Sequence, residues 1–474
     1  MKPFFLAGRW QKSSHSAAVH NPYTGEHIAD VCLADADQVE DAVAAACAAF
    51  SESRRSTADA RATVLENIAR LIGERRDEFA AIICKEAGKP LSLAAAETDR
   101  ARLTFRFGAA LALGDDGHGI AVDASKPGAG HLGLVRRFPI GVILGITPFN
   151  FPLNLVAHKI APCLATGNAM IIKPALKTPL TALLLAEVLE AAGVPAGQIQ
   201  IVPFDHEHID ALLHDSRVAM ISFTGSDTVG WKIKATAAKK KVALELGGNA
   251  AVIVEPDCDW SAAIPKIAAG AFAYAGQSCI SVQRIFVHSS IYESFRVELV
   301  RHTVENLVPG DPASASTLIG PMIQPAARDK VVRWVEEAIS AGAKLLTPLR
   351  VEGASVLHPV LLENVAKGSP VICQEAFAPL AVLHPYDTFQ EALDLVNDSS
   401  FGLQAGVFTN DLQKTLLAFE TLEVGGVLIN QVPTFRVENM PYGGIKDSGF
   451  GREGLRYAME EMTELRSLII ARTE

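Results

Sequence analysis

The first long pattern in the chain is helical and runs from Asp37 to about Leu111. Apolar residues recur there every three or four positions, which places them on one face of a helix. The clearest examples are Val39, Val43, Ala46, Phe50, Val64, Ile68, Leu71 and Ile72. The pattern predicts a layer of helices that each bury one side.

Between residues 141 and 248 the pattern changes to an alternation of short apolar strands with helices. Thr178 and Pro179 are typical of a helix cap and first turn, and Gly193 is typical of a helix end. Strands are predicted at 169–173, 199–202 and 218–222, and helices at 178–192, around 209–213 and after residue 226. Such a βαβα order predicts a parallel, doubly wound sheet. A second alternating region, from 255 to about 430, predicts another α/β domain.

Two extended segments do not belong to either alternating region. Residues 119–137 contain short extended runs around a turn-rich centre at 126–130, which predicts a hairpin. Residues 465–472 predict a further strand near the end of the chain. From the residues alone, this last strand could also be an ordinary strand at the edge of a sheet.

Composition narrows the class of protein. A chain of 474 residues with 49% apolar and 20% charged residues is globular and long enough for two or three domains. A formal charge of -10 makes a nucleic-acid partner unlikely in a binding mode that needs phosphate neutralisation. Prolines and glycines interrupt the longest apolar region, 138–155, so no membrane span is predicted. The apolar run near the start is too short for a secretory signal, and a cytoplasmic location is expected.

The cysteines favour neither disulfides nor a metal site. They are Cys32, Cys47, Cys84, Cys163, Cys258, Cys279 and Cys373. They are odd in number and widely scattered, and no two form a Cys-x-x-Cys pair. No metal is expected.

Three polar residues in apolar surroundings suggest chemistry at a thiol. Cys279 follows an apolar run and the Gly276-Gln277 turn, Glu245 interrupts a second apolar run, and Asn150 lies in a proline-punctuated loop. A buried carboxylate is costly unless it has a partner or a task. Nucleophile, base and neutral hydrogen-bond donor are the parts that acyl chemistry at a thiol requires.

This combination resembles the aldehyde dehydrogenase superfamily, and the resemblance extends over essentially the whole chain. The motifs that carry it are Thr147-Pro148-Phe149-Asn150-Phe151-Pro152, Lys173-Pro174-Ala175, Phe223-Thr224-Gly225-Ser226, Leu244-Glu245-Leu246-Gly247-Gly248, Gly276-Gln277-Ser278-Cys279, Glu375-Ala376-Phe377-Ala378-Pro379 and Pro441-Tyr442-Gly443-Gly444. Each motif alone is weak, but seven in the order and spacing of the family are specific.

The resemblance implies a fold and an assembly. It implies two doubly wound α/β domains, one for the cofactor and one catalytic, with a small β hairpin for oligomerisation. The expected boundaries are 1–117 and 138–247 for the cofactor domain, 248–447 for the catalytic domain, and 118–137 with 448–474 for the oligomerisation and bridging segments. A homodimer or homotetramer is expected.

The cofactor expected from the resemblance is NAD or NADP. Among the residues themselves, Gly225 and Ser226 lie where a strand ends and a helix starts, a place suited to a pyrophosphate but also to a plain capped turn. The resemblance assigns Lys173 to the adenosine ribose, Glu375 to the nicotinamide ribose and Phe377 to the nicotinamide. The remaining expected contacts are Thr147, Pro148, Phe149, Ala175, Leu176, Lys177, Val229, Leu246 and Gly247.

One departure from the family pattern bears on the choice between NAD and NADP. Relatives that prefer NAD usually carry Glu three residues after the lysine, where it accepts the ribose 2′-hydroxyl and repels a 2′-phosphate. This chain has Leu176 there, followed by Lys177. Without the anion, and with a cation nearby, NADP is admissible.

The substrate expected from the resemblance is a small polar or carboxylate-bearing aldehyde, such as succinic semialdehyde or lactaldehyde. Relatives that use apolar aldehydes commonly have Trp eight residues after the asparagine, whereas this chain has His158. Relatives that use phosphorylated aldehydes tend to have Arg immediately before the nucleophile, whereas this chain has Ser278. The other expected pocket residues are Arg106, Phe151, Asn154, Arg436 and Tyr442.

The mechanism implied by the resemblance begins with attack of the Cys279 thiolate on the aldehyde carbon. The Asn150 side chain and the Cys279 backbone N–H hold the oxyanion, hydride leaves to NAD(P)+, and Glu245 activates the water that hydrolyses the thioester. Three alternatives remain at this point: a thiol hydrolase pairing Cys279 with a histidine, a structural or binding protein that keeps the fold, and an enzyme that transfers the acyl group to coenzyme A.

Overall fold

The chain begins with short strands and a layer of helices. In this computed structural model, residues 1–114 and 117–472 are described. The first elements are β1 (Phe4–Leu6), β2 (Arg9–Gln11), β3 (His15–His20), β4 (His27–Leu33), α1 (Ala36–Ser53), α2 (Ala58–Glu74), α3 (Arg76–Ala87) and α4 (Leu91–Ala112). The predicted helical layer is confirmed. The four strands before it were not predicted, because two of them are three residues long and β3 is mostly exposed, which leaves no clear alternation.

The predicted hairpin is present and joins the last strand. It consists of β5 (Gly117–Ile120) and β6 (His131–Pro139), which pair antiparallel around two short helical turns. At the other end of the chain, β24 (Thr463–Ala471) pairs with β6 along its whole length. The three strands form a separate sheet in the order β24-β6-β5.

The first α/β region has the predicted parallel sheet. Its elements are β7 (Val142–Ile146), α5 (Asn154–Thr166), β8 (Ala169–Lys173), α6 (Pro179–Ala191), β9 (Ile199–Ile201), α7 (Ile209–His214), β10 (Val218–Thr224), α8 (Asp227–Thr236) and β11 (Lys241–Glu245). The strand order is β2-β1-β9-β8-β7-β10-β11-β23, where β23 is Gly449–Phe450 from near the end of the chain. Strands β9, β8, β7, β10 and β11 run parallel. Helices cover this sheet, so its central strands are buried.

The helix after Thr178 begins where predicted, but a different residue caps it. The Thr178 side chain makes no capping hydrogen bond. Instead the buried carboxylate of Glu86, from α3, accepts the N–H groups of Leu180 at 2.8 Å and Thr181 at 2.9 Å. A tertiary contact therefore replaces the local cap.

The second α/β region follows directly. Its elements are β12 (Ala250–Val254), α9 (Trp260–Phe272), β13 (Val282–His288), α10 (Ser289–Asn306), α11 (Pro325–Ser340), β14 (Lys344–Leu345), β15 (Val351–Glu352), β16 (Val356–Leu357), β17 (Val360–Glu363), α12 (Pro370–Cys373), β18 (Leu380–Tyr386), α13 (Phe389–Asn397), β19 (Phe401–Gly402), β20 (Gln404–Phe408), α14 (Leu412–Thr421) and β21 (Gly426–Ile429). The sheet order is β14-β17-β18-β13-β12-β20-β21, and all neighbours except β14 and β17 pair in parallel.

The last elements return to the first sheet. They are β22 (Ile445–Lys446), β23 (Gly449–Phe450) and α15 (Leu455–Glu461), followed by β24. β23 pairs antiparallel with β11, directly beside Glu245. The fold class, two doubly wound α/β regions with a small β hairpin, is confirmed by this topology. The domain boundaries stay predictions, and the ranges 1–117 and 448–474 include residues 115, 116, 473 and 474, which lie outside the described residues.

Candidate active site

Cys279 follows a strained turn between α9 and β13. Tyr274, Ala275 and Gly276 all have positive φ, at 54°, 54° and 65°. Positive φ costs a non-glycine residue about 1–3 kcal/mol and persists only where the surroundings enforce it. At Gly276 a Cβ would lie 2.1 Å from the Ala378 carbonyl oxygen, so only glycine fits. The turn thus holds the backbone before Cys279 in one conformation.

Gln277 ties this turn to its neighbours. Its side-chain amide donates to the Pro321 carbonyl at 3.2 Å and accepts from the Ile323 N–H at 2.8 Å. Its backbone carbonyl accepts from Asn150 Nδ2 at 3.1 Å. Gln277 therefore connects the loop after β7, which carries Asn150, to the turn that carries Cys279.

Asn150, one member of the predicted donor pair, contacts the turn that carries Cys279, the other member. Asn150 is buried, and its Nδ2 carries a second N–H beyond the one given to Gln277. The backbone N–H of Cys279 has no hydrogen-bond partner among the described residues. Both groups are thus available to a new negative charge on an oxygen.

The thiol of Cys279 contacts a tyrosine rather than a histidine. Its Sγ lies 3.0 Å from Tyr442 Oη. Burial raises the pKa of the thiol to about 12, while the Tyr442 hydrogen bond opposes this. Within the described part of the chain, no hydrogen bond joins the thiol to a histidine. The cysteine–histidine pair of a thiol hydrolase is not formed.

Glu245 ends β11 with an unpaired carboxylate oxygen. Its Oε2 is buried without a hydrogen-bond partner among the described residues. Burial and the nearby charge of Glu453 raise the pKa of Glu245 well above its usual range. A Cβ on Gly443, the residue after Tyr442, would lie 2.9 Å from Glu245 Oε1. The Tyr442-Gly443 segment therefore contacts both the thiol and the carboxylate.

Beside these groups lies a cluster of charged side chains, which we call the ionic cluster. Its members are Arg100, His158, Lys159, Arg436, Glu438 and Glu453. The Glu438 carboxylate pairs with Arg100 and with His158 Nε2, and Lys159 Nζ lies 3.2 Å from Glu453 Oε1. These contacts satisfy most of the buried charge.

The protonation of the cluster follows from its contacts. Burial and the charge of Arg436 lower the pKa of His158, so the ring is neutral near pH 7. Burial alone would raise the pKa values of both cluster carboxylates. The His158 hydrogen bond, together with Arg100, instead holds the pKa of Glu438 well below its usual range, and Lys159 lowers that of Glu453. Both carboxylates are ionised near pH 7.

Arg436 is the member of the ionic cluster that contacts Tyr442, the tyrosine beside the Cys279 thiol. Its side chain is only 6% exposed, and its guanidinium carbon lies 3.7 Å from the centroid of the Tyr442 ring. One terminal nitrogen is 3.4 Å from Glu453. Its Nε is buried and has no partner among the described residues. Such a donor is costly to leave unpaired and suits an anion that arrives with a substrate.

His158, one of the expected pocket residues, belongs to the ionic cluster. It was predicted as a pocket residue, and it lies beside Arg436, but its Nε2 is engaged by Glu438 and its side chain is buried. Asn154 is likewise buried, and its Oδ1 accepts from Thr104 at 3.2 Å. The side chains of His158 and Asn154 are therefore both held by other protein groups next to the site.

Arg106 is not brought to the site. It lies on the exposed side of α4 and lines a surface groove with Glu66, Arg70 and Arg102. Arg100, six residues earlier on the same helix, is the arginine that reaches the ionic cluster. A helix turns by about 100° per residue, so the sequence could not show which arginine faces inward before the buried side was known. Ser278 is half-buried beside Cys279, and Phe151 follows Asn150.

The expected nicotinamide contacts are clustered. Glu375 Oε1 accepts the Gly248 N–H at 3.0 Å, and burial raises the pKa of Glu375 to about 7. A Cβ on Gly247 would lie 2.5 Å from Glu375 Oε2, so this close approach requires glycine. The rings of Phe149 and Phe377 meet edge to face at 5.8 Å. These residues frame one cradle next to Gly248, whose added Cβ would lie 2.5 Å from the Cys279 carbonyl oxygen.

The expected adenosine contacts lie along the carboxyl ends of β8 and β10. Lys173 ends β8 and is largely buried, which lowers its pKa to about 8. Gly225 and Ser226 follow β10, and Ser226 makes no side-chain cap to α8. The Asp227 side chain takes the Thr228 N–H at 2.7 Å, whereas the N–H groups of Asp227 and Val229 have no partner among the described residues and are open to an anion. Ala175 and Leu176 are half-buried, Lys177 and Val229 are exposed, and Thr147, Pro148 and Leu246 lie at or after strand ends. The donors and the open helix start fit a dinucleotide.

Several site residues were missed by the sequence reasoning. They are Lys159, Glu438, Glu453 and Gln277. Lys159 could have been identified from the sequence, since a lysine within a mostly apolar helix is buried only when it has a partner. Glu438 and Glu453 lie in loops, where a charge is ordinary, and only the tertiary fold shows that they are buried.

Over 1–114 and 117–472, no helix is both long and apolar enough to span a bilayer. Over the same residues, no group of three or more His, Cys, Asp or Glu side chains is arranged to hold a metal ion.

The chain is similar to proteins of known activity. The model of the aldehyde dehydrogenase family matches residues 10–468. A 3-sulfolactaldehyde dehydrogenase from Priestia aryabhattai is 41% identical over 467 residues, which cover 98% of this chain and 97% of the relative. The crystal structure of aldehyde dehydrogenase 21 from Physcomitrella patens, in complex with the reaction product succinate, superposes with a TM-score of 0.96 at 39% identity, covering 99% and 98% of the two chains. Glyceraldehyde-3-phosphate dehydrogenase from Methanocaldococcus jannaschii, complexed with NADP, gives 0.92 at 37% identity, covering 97% and 100%.

Proposed function

Because the chain belongs to the aldehyde dehydrogenase family, we propose that Cys279, Glu245 and Asn150 carry its reaction and that Arg436 selects the substrate. The activity is oxidation of a small polar or anionic aldehyde to its carboxylate, with hydride transfer to NAD or NADP. The observation that carries the proposal is the Nε of Arg436, a buried donor without a partner among the described residues. The guanidinium of Arg436 lies over the ring of Tyr442, whose hydroxyl contacts the Cys279 thiol.

The chain's own groups account for each step. Cys279, once its thiol proton has left to water, bonds through sulfur to the aldehyde carbon, and the oxygen that becomes negative is held by the second Asn150 N–H and the Cys279 backbone N–H. Glu375, Phe149 and Phe377 would hold the nicotinamide of NAD(P)+, which would supply the hydride acceptor, and loss of the hydride from the former aldehyde carbon leaves a thioester on Cys279. Glu245 then takes a proton from the water that attacks this thioester, and the carboxylate product leaves. Hydrolytic release is favoured over transfer to coenzyme A because Glu245 has a free oxygen.

The charge of the site supports an anionic substrate. In the ionic cluster three cationic side chains face two carboxylates of lowered pKa. Within this cluster the neutral His158 adds no charge. One positive charge therefore remains uncompensated. A carboxylate or sulfonate on the substrate would balance it, in keeping with relatives named for sulfolactaldehyde and crystallised with succinate.

Cofactor preference follows from the turn after β8. Leu176 occupies the place where an acidic residue would repel a 2′-phosphate, and the exposed ammonium of Lys177 is next to it. An extra phosphate meets no opposing charge from these two residues. We infer that NADP is accepted at least as well as NAD.

An assembly is proposed from the surface of the hairpin sheet. Exposed apolar side chains lie on both strands of the β6–β24 pair: Leu132, Leu134, Leu465, Leu468, Ile469 and Ile470. Leu132 pairs with Ile470 and Leu134 with Leu468, so these four side chains share one face of the sheet, and an apolar surface of this kind marks a protein interface. It supports the expected homodimer or homotetramer. The expected cytoplasmic location stays a prediction.

The test compares an anionic with an apolar aldehyde. In Arg436→Met we expect kcat/KM for succinic semialdehyde to fall about tenfold to a hundredfold, since one charge-assisted contact contributes about 1.5–3 kcal/mol. Butanal should change much less. Arg106→Met, which removes an exposed arginine outside the site, is the matched control. Equal losses for both aldehydes would exclude Arg436 as the anion contact.

A second variant tests the wall behind Arg436. His158→Trp should also lower the succinic semialdehyde to butanal ratio, because it breaks the contact with Glu438 and displaces Arg436. If wild type prefers butanal and the ratio is unchanged by this substitution, the anionic substrate is wrong while the dehydrogenase activity stands.

A further inference from the structure

Lys89 is a buried cation outside the proposed catalytic groups. It lies between α3 and α4, and its side chain is 2% exposed. We propose that Lys89 is a positioning residue, which holds the loop carrying Asn150 against the turn carrying Cys279. This inference rests on the proposed roles of those two residues.

The ammonium of Lys89 lies between two aromatic rings from the two segments. Its Nζ is 3.6 Å from the ring centroid of Phe151 and 4.6 Å from that of Tyr274. Phe151 is the residue after Asn150, and Tyr274 is the first residue of the strained turn before Cys279. A desolvated cation over an aromatic face is attracted to it, so one ammonium draws both segments together.

Glu97 completes the arrangement from α4. One oxygen of its buried carboxylate pairs with Lys89. The other accepts the N–H groups of Leu153 at 2.9 Å and Asn154 at 3.1 Å. These are the groups at the start of α5, directly after the loop that carries Asn150. The Lys89–Glu97 pair therefore holds this loop at two points. Lys89 contacts the ring of Phe151, and Glu97 accepts the backbone N–H groups at the start of α5.

The segment around Lys89 also fixes the other side. The Tyr274 hydroxyl donates to the Ala87 carbonyl at 3.3 Å. Gly88 packs against Pro321, whose carbonyl accepts from the side chain of Gln277. Residues 87 to 89 thus contact the turn before Cys279 at its first residue and, through Pro321, near its end. A small displacement there changes the distance between the oxyanion donors and the sulfur.

A plain counter-ion role for Lys89 makes a different prediction. A buried carboxylate left alone is destabilising, whereas an isosteric neutral pair is often tolerated. Glu97→Gln keeps an oxygen for Leu153 and Asn154, and in Lys89→Met/Glu97→Gln both charges are removed together. Lys89→Met alone leaves the Glu97 carboxylate buried without its counter-ion. Comparing these two variants separates charge balance from positioning.

The readout is the rate of the first turnover. We expect Lys89→Met/Glu97→Gln, although its charges balance, to give an NAD(P)H burst slower than wild type by about tenfold to a hundredfold, since misplacement of reacting groups by about 1 Å has such effects. Its Tm should lie above that of Lys89→Met, which keeps an unpaired carboxylate, and KM for the cofactor should be unchanged. Under a plain counter-ion role, the added Glu97→Gln would restore the burst of Lys89→Met. Tyr274→Leu, which removes one ring and leaves the ion pair, should slow the burst in the same direction.

Two results would overturn the inference. They are a burst at the wild-type rate in the double variant, with only its amplitude lowered in proportion to folded protein, and an unchanged burst rate in Tyr274→Leu. Lys414→Met, which breaks the pair with buried Glu255 at the far end of β12, is the control for loss of an ion pair and should leave the burst unchanged. If Asn150→Ala leaves the burst unchanged, the proposed oxyanion role fails instead, and the two failures are distinguishable.

Discussion

The two sheets contribute to the site from opposite ends of their strands. In the first sheet the site residues follow the carboxyl ends of β7, β8, β10 and β11, as is usual for parallel sheets: Asn150, Lys173, Gly225 and Glu245. In the second sheet they precede the amino ends: Cys279 comes before β13, and Glu375 before β18. The proposed nucleophile and the proposed base therefore come from two separately packed hydrophobic cores. We call the boundary between these two cores, where their loops are in contact, the seam.

The difference assigns different tasks to the two regions. The first sheet offers donors, a helix start and a base, groups that bind a ligand or move a proton. The second offers the thiol, which a strained turn holds before the amino end of β13. The usual location of sites, at the carboxyl ends of parallel strands, would not predict this position. Because the chemistry needs both, the contacts across the seam, such as Asn150 to Gln277 and Gly248 to Glu375, set the working geometry.

The largest effect is expected from the residue of the second sheet. Cys279→Ala should lower turnover more than about a thousandfold, since loss of a nucleophile leaves no covalent route. Cofactor binding and Tm should stay near wild type, because Tyr442 is the thiol's single hydrogen-bond partner among the residues that the structure describes. Residual turnover above a few per cent in a clean preparation would remove Cys279 from the mechanism.

The base from the first sheet should produce a different defect. Glu245→Gln should lower steady-state kcat about a hundredfold to ten-thousandfold, because an amide cannot accept the proton from water. Hydride transfer does not need that step, so rapid mixing should still show up to one NAD(P)H per site. Loss of the burst together with turnover would place Glu245 at an earlier step, such as activation of the thiol.

The thiol's environment predicts a pH dependence. Burial raises the pKa of Cys279, so the protonated form dominates below about 12 and the reactive thiolate grows about tenfold per pH unit. Alkylation of the ligand-free protein by iodoacetamide should therefore keep rising from pH 7 to pH 9. Peptide mapping distinguishes Cys279 from exposed Cys373. A plateau below pH 9 at Cys279 would show that the thiol is activated in the free protein.

The smallest effect concerns the edge of the first sheet. Leu176→Glu should lower the ratio of kcat/KM for NADP over NAD about tenfold, since an anion beside the 2′-position favours a hydroxyl over a phosphate. The aldehyde's KM should not change. An unaltered ratio would mean that Leu176 does not face the ribose.

The sequence predicted the first sheet and its site residues better than the second. Strand 169–173 matches β8 at both ends, and the residue that ends it is the expected ribose contact. Rules for parallel strands place such residues from local pattern alone. The partners of Arg436 and His158 come instead from loops at 438 and 453, and their burial depends on how the last segment returns to β11. No local pattern carries that information, which is why Arg106 was expected in the pocket and Arg100 was not.

The most direct test of the seam is to trap the intermediate that needs both sides. Glu245→Gln, mixed with NAD(P)+ and succinic semialdehyde and quenched within the burst, should carry the acyl group on the peptide that contains Cys279, at close to one per chain. Cys279→Ala/Glu245→Gln should carry none. An NAD(P)H burst without an adduct, or an adduct on another cysteine, would contradict the account.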